Sequence, residues 1–418
     1  MTRFTQVSGL EVLDSRGNPT VQVTLVADDG AGYVAGVPSG ASTGTREAVE
    51  LRDGDKARYA GKGVTQAVGH VNSEIADLLT ARAWSSLEEV DEALIALDGT
   101  PTKARLGANA IVGTSMAAAR ALAGTSPLWQ SLQPAGVIPR LPVPHFNVLN
   151  GGVHAPNDLD FQEFMVAPVG APSFPEALRA GAAVYARLRA LLQAKGEATG
   201  LGDEGGFAPN IARPEDVLTL IVEAITAAGY PTGRAGVAIA LDPAASEFYR
   251  DGAYHVAGET LTSDDMIARY EAIATDFPVW SLEDGLAEGD WDGWQRLTAR
   301  LGDRVQLVGD DIFVTNPAII TEAIARHVGT AALIKVNQIG SITETLRAQE
   351  ICRAAGYAQM ISHRSGETSD TFIADLAVAT GTGQLKTGAP ARGERVAKYN
   401  RLLEIAATRP DLPYGLIS

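Results

Sequence analysis

At 418 residues, with 45% hydrophobic and 20% charged side chains, the chain has the composition of a globular protein large enough for two domains, one of them an α/β barrel. A formal net charge of −16 excludes non-specific nucleic-acid binding, which needs clustered Lys and Arg, yet is compatible with a small anion held by a local field. A single cysteine, Cys352, excludes an internal disulfide or thiolate cluster, and no apolar run approaches the ~20 residues that span a bilayer, so a cytoplasmic protein is expected.

Residues 1–135 read as a smaller α+β domain. "QVTLVADDG" and "AGYVAGVPSG" alternate like antiparallel strands joined by a turn at Asp29-Gly30. Helical periodicity follows in "TREAVELRDG" (45–54), "AVGHVNSEIADLL" (67–79) and the Ala-rich "GANAIVGTSMAAARALAG" (107–124). The Pro-punctuated "LQPAGVIPRLPVP" then reads as a linker, because each proline removes a backbone donor.

From residue 136 to 418 the rhythm changes to short apolar strands alternating with amphipathic helices. "GVAIALD" ends at Asp242, "PVWSLED" at Glu283 and Asp284, and "RVQLVGDD" at Asp310 and Asp311. "AALIKVNQ" carries Lys335, "AQMISHRS" carries His363, Arg364 and Ser365, and "GQLKTG" carries Lys386. A recurring strand–helix unit implies parallel strands with right-handed crossovers, and enough units fit to close a TIM-like (β/α)8 barrel.

In such a barrel the C-terminal strand ends face one mouth, so residues remote in sequence become neighbours. Asp242, Glu283 and Asp310 would gather there as three mutually repelling carboxylates, for which a hard divalent cation such as Mg²⁺ is the natural partner. Any one of these acids alone would read as a helix cap; three at equivalent places opposite three basic strand ends read as a site. Arg364 offers a planar fork for phosphate or carboxylate, with Ser365 adding a hydroxyl. A metal and a second ammonium disfavour the charged form of a lysine, so Lys335 or Lys386 could serve as a base, and either could equally be a phosphate contact. Glu204, in the acidic turn "GDEGG", and Glu163, in "DFQEFM", could share a dry pocket in which one keeps its proton and acts as general acid. A lysine base facing a carboxylic acid describes an elimination.

Taken together, "VLDSRGNPTVQV", "VPSGASTG", "LGANAI", "NVLNGGVHAPN", "GDEGGFAPN", "SLEDGLAE", "VGDDIFVTNP", "LIKVNQIGS", "SHRSGETSDTFIADLAV" and "KTGAPARGERVAKYN" resemble the enolase family, in order and nearly end to end. The resemblance implies an enolase-type barrel and the reversible Mg²⁺-dependent dehydration of 2-phospho-D-glycerate to phosphoenolpyruvate, a step of glycolysis. It implies Asp242, Glu283 and Asp310 as ligands of a tightly held Mg²⁺. Ser42, in "SGASTG", would help hold a second Mg²⁺ recruited with substrate. Lys335 then matches the base at C2, and Glu204, with Glu163 beside it, the acid at the 3-hydroxyl. Gln162, Arg364, Ser365 and Lys386 match substrate contacts, with His363 beside the phosphate clamp and His154 on a loop that closes over the catalytic groups. A homodimer, or an octamer of dimers, is also implied.

Some positions depart from the family's usual pattern: His145 and Phe146 where relatives often carry methionine, Pro243 after a metal ligand, and Glu404 where a basic residue is common. Two further readings stay open on sequence alone. One is a specialised paralogue such as carboxyphosphonoenolpyruvate synthase of phosphonate metabolism. The other is an added non-catalytic role as a scaffold or at the cell surface.

Overall fold

The computed structural model describes residues 1–41 and 43–416. Strands β1 (Thr2–Leu13), β2 (Pro19–Ala27) and β3 (Gly32–Gly36) form an antiparallel meander. The β2–β3 register runs from Gln22↔Gly36 to Val26↔Gly32, and the turn between them is fastened by Ala31 N–H donating to Asp29 Oδ1 (2.8 Å). Alternation places Val21, Val23 and Leu25 on the inner face, fully buried. Helix α1 (Ala108–Ala123) packs on that face. Gly113 permits the contact, since a Cβ there would lie 2.7 Å from Val37 Cγ2 and 2.8 Å from Val23 Cγ2.

Two N-terminal expectations need correction. Residues 67–79 are helical, but a π turn at Val71–Ile75 interrupts the α geometry. Residues 45–54 form no helix. Their backbone donors go to distant segments: Ala48 N–H to Gln338 O and Val49 N–H to Thr102 O, both at 2.8 Å. Those long-range bonds outcompete a local i→i−4 ladder and lay the segment against the barrel.

The barrel comprises β4 (Val143–Asn150), β5 (Glu163–Ala167), β6 (Ala238–Asp242), β7 (Val279–Glu283), β8 (Gln306–Gly309), β9 (Ala331–Ile334), β10 (Ala358–Ser362) and β11 (Gln384–Lys386). It closes by parallel pairing of β11 with β4, Gln384 opposite Val143. The expected all-parallel arrangement fails at β5, which runs antiparallel to both β4 and β6. Between β4 and β5 there is only a single 3-10 turn, Gly152–His154. Without a crossover helix the chain must return antiparallel. Helices α2 (Phe174–Ala194) and α3 (Pro214–Ala227) then precede β6 as a pair. After β6 a small three-stranded sheet (residues 249–261) intervenes, and barrel strands then alternate with α4 (Ser263–Asp276), α5 (Trp291–Leu301), α6 (Pro317–Ala325), α7 (Ile342–Ala354), α8 (Phe372–Thr380) and α9 (Gly393–Thr408). The reversal of β5 matters for function, because its first residue, Glu163, rather than its last, lies beside Asp242. Among the described residues no helix is long and apolar enough to cross a membrane.

His145 lies inside the barrel, fully buried, with its ring 5.5 Å from that of Trp280 and Nε2 lacking a hydrogen-bond partner. Burial depresses its pKa from 6.5 to about 3. Its unprotonated form is therefore built into the fold, and the stability tied to it is lost as pH falls from 6.5 towards 3. At ~1.4 kcal/mol per pH unit, this ring costs about 2 kcal/mol by pH 5. Replacing it as His145→Met should flatten that acid slope, so that urea unfolding at pH 5 and pH 7 gives closer midpoints than in the unaltered protein.

Candidate active site

The C-terminal ends of the barrel strands bring together most of the predicted residues. His154, Gln162, Glu163, Glu204, Asp242, Lys335, His363, Arg364, Ser365 and Lys386 line one cavity, joined by Ser362. Glu283 and Asp310 enter through the lysines. Lys386 Nζ lies 2.8 Å from Asp242 Oδ2, 2.7 Å from Glu283 Oε1 and 3.2 Å from Glu163 Oε1, and Lys335 Nζ donates to Asp310 Oδ2. The remaining free space is about 10 Å³, at most room for one water, so a ligand of several atoms must separate some of these pairs. Ser42 lies outside the described residues.

The electrostatics follow from burial among mixed charges. Burial pushes the Glu283 carboxyl well up, Asp242 adds to that, and Lys386 opposes it. Burial also opposes ionisation of Asp310, but Lys335 and Lys386 prevail and hold it low. The expected lowering of the lysines is reversed within the protein's own charge set. Burial disfavours each ammonium, yet Asp310 carries Lys335 upward, and Asp242, Glu163 and Glu283 carry Lys386 well upward.

Asp284, Asp310 and Asp311 form an acidic group with ligand-type oxygens within 4.8 Å of one another. Asp284 has both oxygens engaged, accepting from Asp310 N–H (2.8 Å) and Asp311 N–H (2.9 Å). It therefore orients the start of the following loop, leaving Asp310 to face the lysines. Its φ of +40° fits a residue held in place by those two bonds.

Opposite lies a second group. His154 Nδ1 is 3.6 Å from Glu163 Oε1 and 3.9 Å from Glu204 Oε1, and all three residues are buried. Burial and the charge of Glu204 push Glu163 well up. Burial also resists a charge on Glu204, but His363, His154 and Arg395 around it win and hold it well down. The pair therefore splits in the way that leaves one proton on Glu163. Asn147 Nδ2 fixes Glu204 by donating to Oε2 at 3.0 Å. Both ring nitrogens of His154 and Oε1 of Gln162 are buried without hydrogen-bond partners.

Arg395 is the residue that sequence reasoning missed, although it lies in the quoted "KTGAPARGERVAKYN". It is fully buried at the start of α9 and donates to Arg364 O (2.6 Å) and Ser365 O (2.7 Å). Its Nη1 also lies 2.6 Å from His363 Nδ1. A guanidinium only donates, so Nδ1 must accept and the proton belongs on Nε2, which lies 3.0 Å from Glu204 Oε2. Burial drives the His363 pKa down to about 3, so the ring is neutral.

Arg364 is held from the N-terminal domain. Glu47 Oε2 and Oε1 accept from its Nη1 (2.9 Å) and Nη2 (3.1 Å), and Asn337 Oδ1 accepts from Nη1 (3.1 Å). Burial disfavours the guanidinium charge, but Glu47 outweighs it and raises the pKa. The loop before Ser42 docks on the same clamp. Ser39 and Gly366 exchange backbone hydrogen bonds at 2.8 Å, and Ala41 N–H donates to Ser365 Oγ at 2.7 Å. Glu47 was hidden in sequence inside a false helical pattern.

Comparison with known proteins agrees with this architecture. Residues 4–132 match the family model described as "Enolase, N-terminal domain", and residues 139–410 match "Enolase, C-terminal TIM barrel domain". The chain belongs to the enolase family. An enolase of Acidothermus cellulolyticus is 57% identical over 401 residues, spanning 96% of this chain and 93% of the relative. The enolase family implies Mg²⁺, and the residues present fit it. The donors are hard carboxylate oxygens, Glu283 Oε2 is buried without a hydrogen-bond partner, and an internal cation, Lys386 Nζ, already sits among them.

Gly40 gives a direct test of the docked loop. A Cβ there would lie 2.2 Å from Arg364 Nη2 and 2.8 Å from Thr43 Cγ2. Because Glu47 pins the guanidinium, Gly40→Ala should shift the clamp and raise KM about tenfold with little change in Tm, as measured by initial rates and thermal unfolding.

Proposed function

We propose that this enolase-family chain catalyses the reversible dehydration of 2-phosphoglycerate to phosphoenolpyruvate, with Lys335 taking the C2 proton and Glu204 protonating the departing 3-hydroxyl. The observation that carries the assignment is the interleaving of Lys335 and Lys386 with Asp242, Glu283 and Asp310 opposite the Glu163–Glu204 pair. The 57% identity to an enolase supports the dehydration over the phosphonate paralogue.

Asp242, Glu283 and Asp310 would hold one Mg²⁺, and a second, for which Ser42 is the expected ligand, would be recruited with substrate; together they would supply positive charge to offset the substrate carboxylate and the charge developing on it. The two lysines differ in their partners. Among the described residues Lys386 lies within ion-pair distance of three carboxylates and Lys335 of one, Asp310. Asp310, and more weakly Glu283, sustain the Lys335 charge, so drawing Asp310 away lets burial, Arg364 and Lys386 favour the free amine. Lys386 keeps its proton and remains a fixed positive contact for substrate oxygen.

On the opposite side the Glu163–Glu204 pair carries one proton between its members. The proton that the pair holds rests on Glu163 before reaction and passes to Glu204, tethered by Asn147, which delivers it to the leaving oxygen so that hydroxide departs as water. Arg364 and Ser365 hold the phosphate, with His363 fixed beside them through Arg395. His154 can offer a ring N–H to a remaining substrate oxygen, and Gln162 Oε1, an acceptor, can take a substrate hydroxyl. The same reading divides the chain into a capping domain, 1–135, and a barrel domain, 136–418, supported by matched ranges that meet between 132 and 139. It also extends to a cytoplasmic homodimer or octamer.

Lys335→Ala should lower turnover by about 10³-fold or more while leaving Tm near that of the unaltered protein, read by ultraviolet absorbance of phosphoenolpyruvate and by thermal unfolding. Turnover preserved in that variant would remove the base assignment. Asp242→Asn should weaken Mg²⁺ binding by roughly 10- to 100-fold in calorimetric titration, independently of any rate. Unchanged Mg²⁺ affinity would remove Asp242 from the ligand set.

A further inference from the structure

We propose that the opposite end of the barrel carries a second binding site, for a small oxyanion that also bears a hydroxyl, the class that includes hydrogen phosphate and phosphorylated polyols. A cavity of about 440 Å³ opens there, within the usual range for small-molecule sites. It is lined by strand beginnings, whereas the catalytic groups occupy strand ends. Trp280 is the second residue of β7, Gln359 the second of β10, and Gln306 and Gln384 begin β8 and β11.

Three arginines line this cavity: Arg234, Arg304 and Arg353. Among the described residues none of the three forms an ion pair, although one acid, Asp303, shares the lining, Glu271 acts on Arg304 from nearby, and acids outnumber Lys and Arg by 50 to 34 in the chain. Their own contacts leave donors to spare. Arg234 lies over the Trp280 ring at 5.8 Å, Arg304 Nη2 donates to Thr275 Oγ1 (3.2 Å), and Arg353 Nη2 donates to Thr380 O (3.5 Å). A guanidinium has five N–H groups, so each retains unused ones for an anion.

Two deeper atoms narrow the chemistry. Trp280 is 7% exposed and Gln359 6% exposed, and Trp280 Nε1 and Gln359 Oε1 are buried without hydrogen-bond partners. An indole N–H only donates and an amide oxygen only accepts, so a ligand meeting both must offer an acceptor and a donor, which an oxyanion bearing a hydroxyl combines. Gln306 and Gln384 pair with each other at 2.9 and 2.8 Å instead, and Gln306 Nε2 donates its second N–H to Ser281 Oγ (3.0 Å). Leaving such buried atoms unpaired is costly, and an oxyanion with a hydroxyl answers both while engaging the arginines.

The test is a titration of the full-length protein with inorganic phosphate, following the Trp280 indole N–H resonance, assigned by its disappearance in Trp280→Phe. Arg364→Gln in the background weakens phosphate capture at the catalytic mouth. The expected result is a saturable downfield shift of Trp280 that persists in that background. Affinity should fall at least about tenfold in Arg304→Gln/Arg353→Gln, whose turnover stays within about twofold of the unaltered protein. Should the double variant not fold, Arg304→Gln alone makes the comparison, since Arg304 is exposed. A parallel titration with glycerol 3-phosphate distinguishes the sources: clearly tighter binding assigns a phosphorylated polyol, and equal or weaker binding assigns free phosphate. A Trp280 resonance that does not move, or that moves equally after the arginines are replaced, overturns the site.

Discussion

Lys386 Nζ lies within 3.2 Å of oxygens on Glu163, Asp242 and Glu283, so one ammonium answers three carboxylates taken out of water. Each buried ion carries a desolvation penalty of several kcal/mol, which close opposite charge must offset. Lys335 performs the same service for Asp310. These pairs make the mouth of the barrel tolerable as a fold, and they explain why it is so nearly full. They also set the chemistry, because a site that balances charge this closely responds to any incoming cation or anion by redistributing its protons.

The N-terminal domain helps keep that balance dry. The segment from Ser39 to Glu47 contributes a strand-like bridge to Gly366, a backbone donor to Ser365 and a bidentate partner for Arg364. Arg364 is thus held by an acid from a different domain, near the place where substrate phosphate would bind. The loop and the clamp are therefore coupled: moving one changes the partner available to the other. Arg395 anchors the same clamp from behind through the carbonyls of Arg364 and Ser365.

Much of this was legible in the sequence, for identifiable reasons. Apolar runs ending in Asp242, Glu283, Asp310, Lys335 and Lys386 carry a signal that barrel topology turns directly into proximity. The reversal of β5 was not legible, since a short apolar strand has the same composition in either direction; only the absence of a crossover helix after β4 hinted at it. The false helix at 45–54 had helical composition, but its donors were claimed by Gln338 and Thr102, a competition invisible to local pattern. Arg395 escaped because it touches no reacting group and acts through carbonyls and a ring nitrogen of neighbours. The roles of Asp284 and Asp310 separated only when the backbone bonds to Asp284 were seen.

The closing pair of strands carries a consequence for biosynthesis. Gln384 must meet Val143 to shut the barrel, and Arg395, later still, organises His363, Arg364 and Ser365. Both follow every other barrel strand in the sequence. On the ribosome, the nascent protein therefore has an open sheet and an unformed anion clamp until they emerge. A product truncated before β11 would leave the edges of β4 and β10 unpaired, a substrate for chaperones or proteases, whereas one lacking only α9 would keep the closing strand and lose the Arg395 anchor of the clamp.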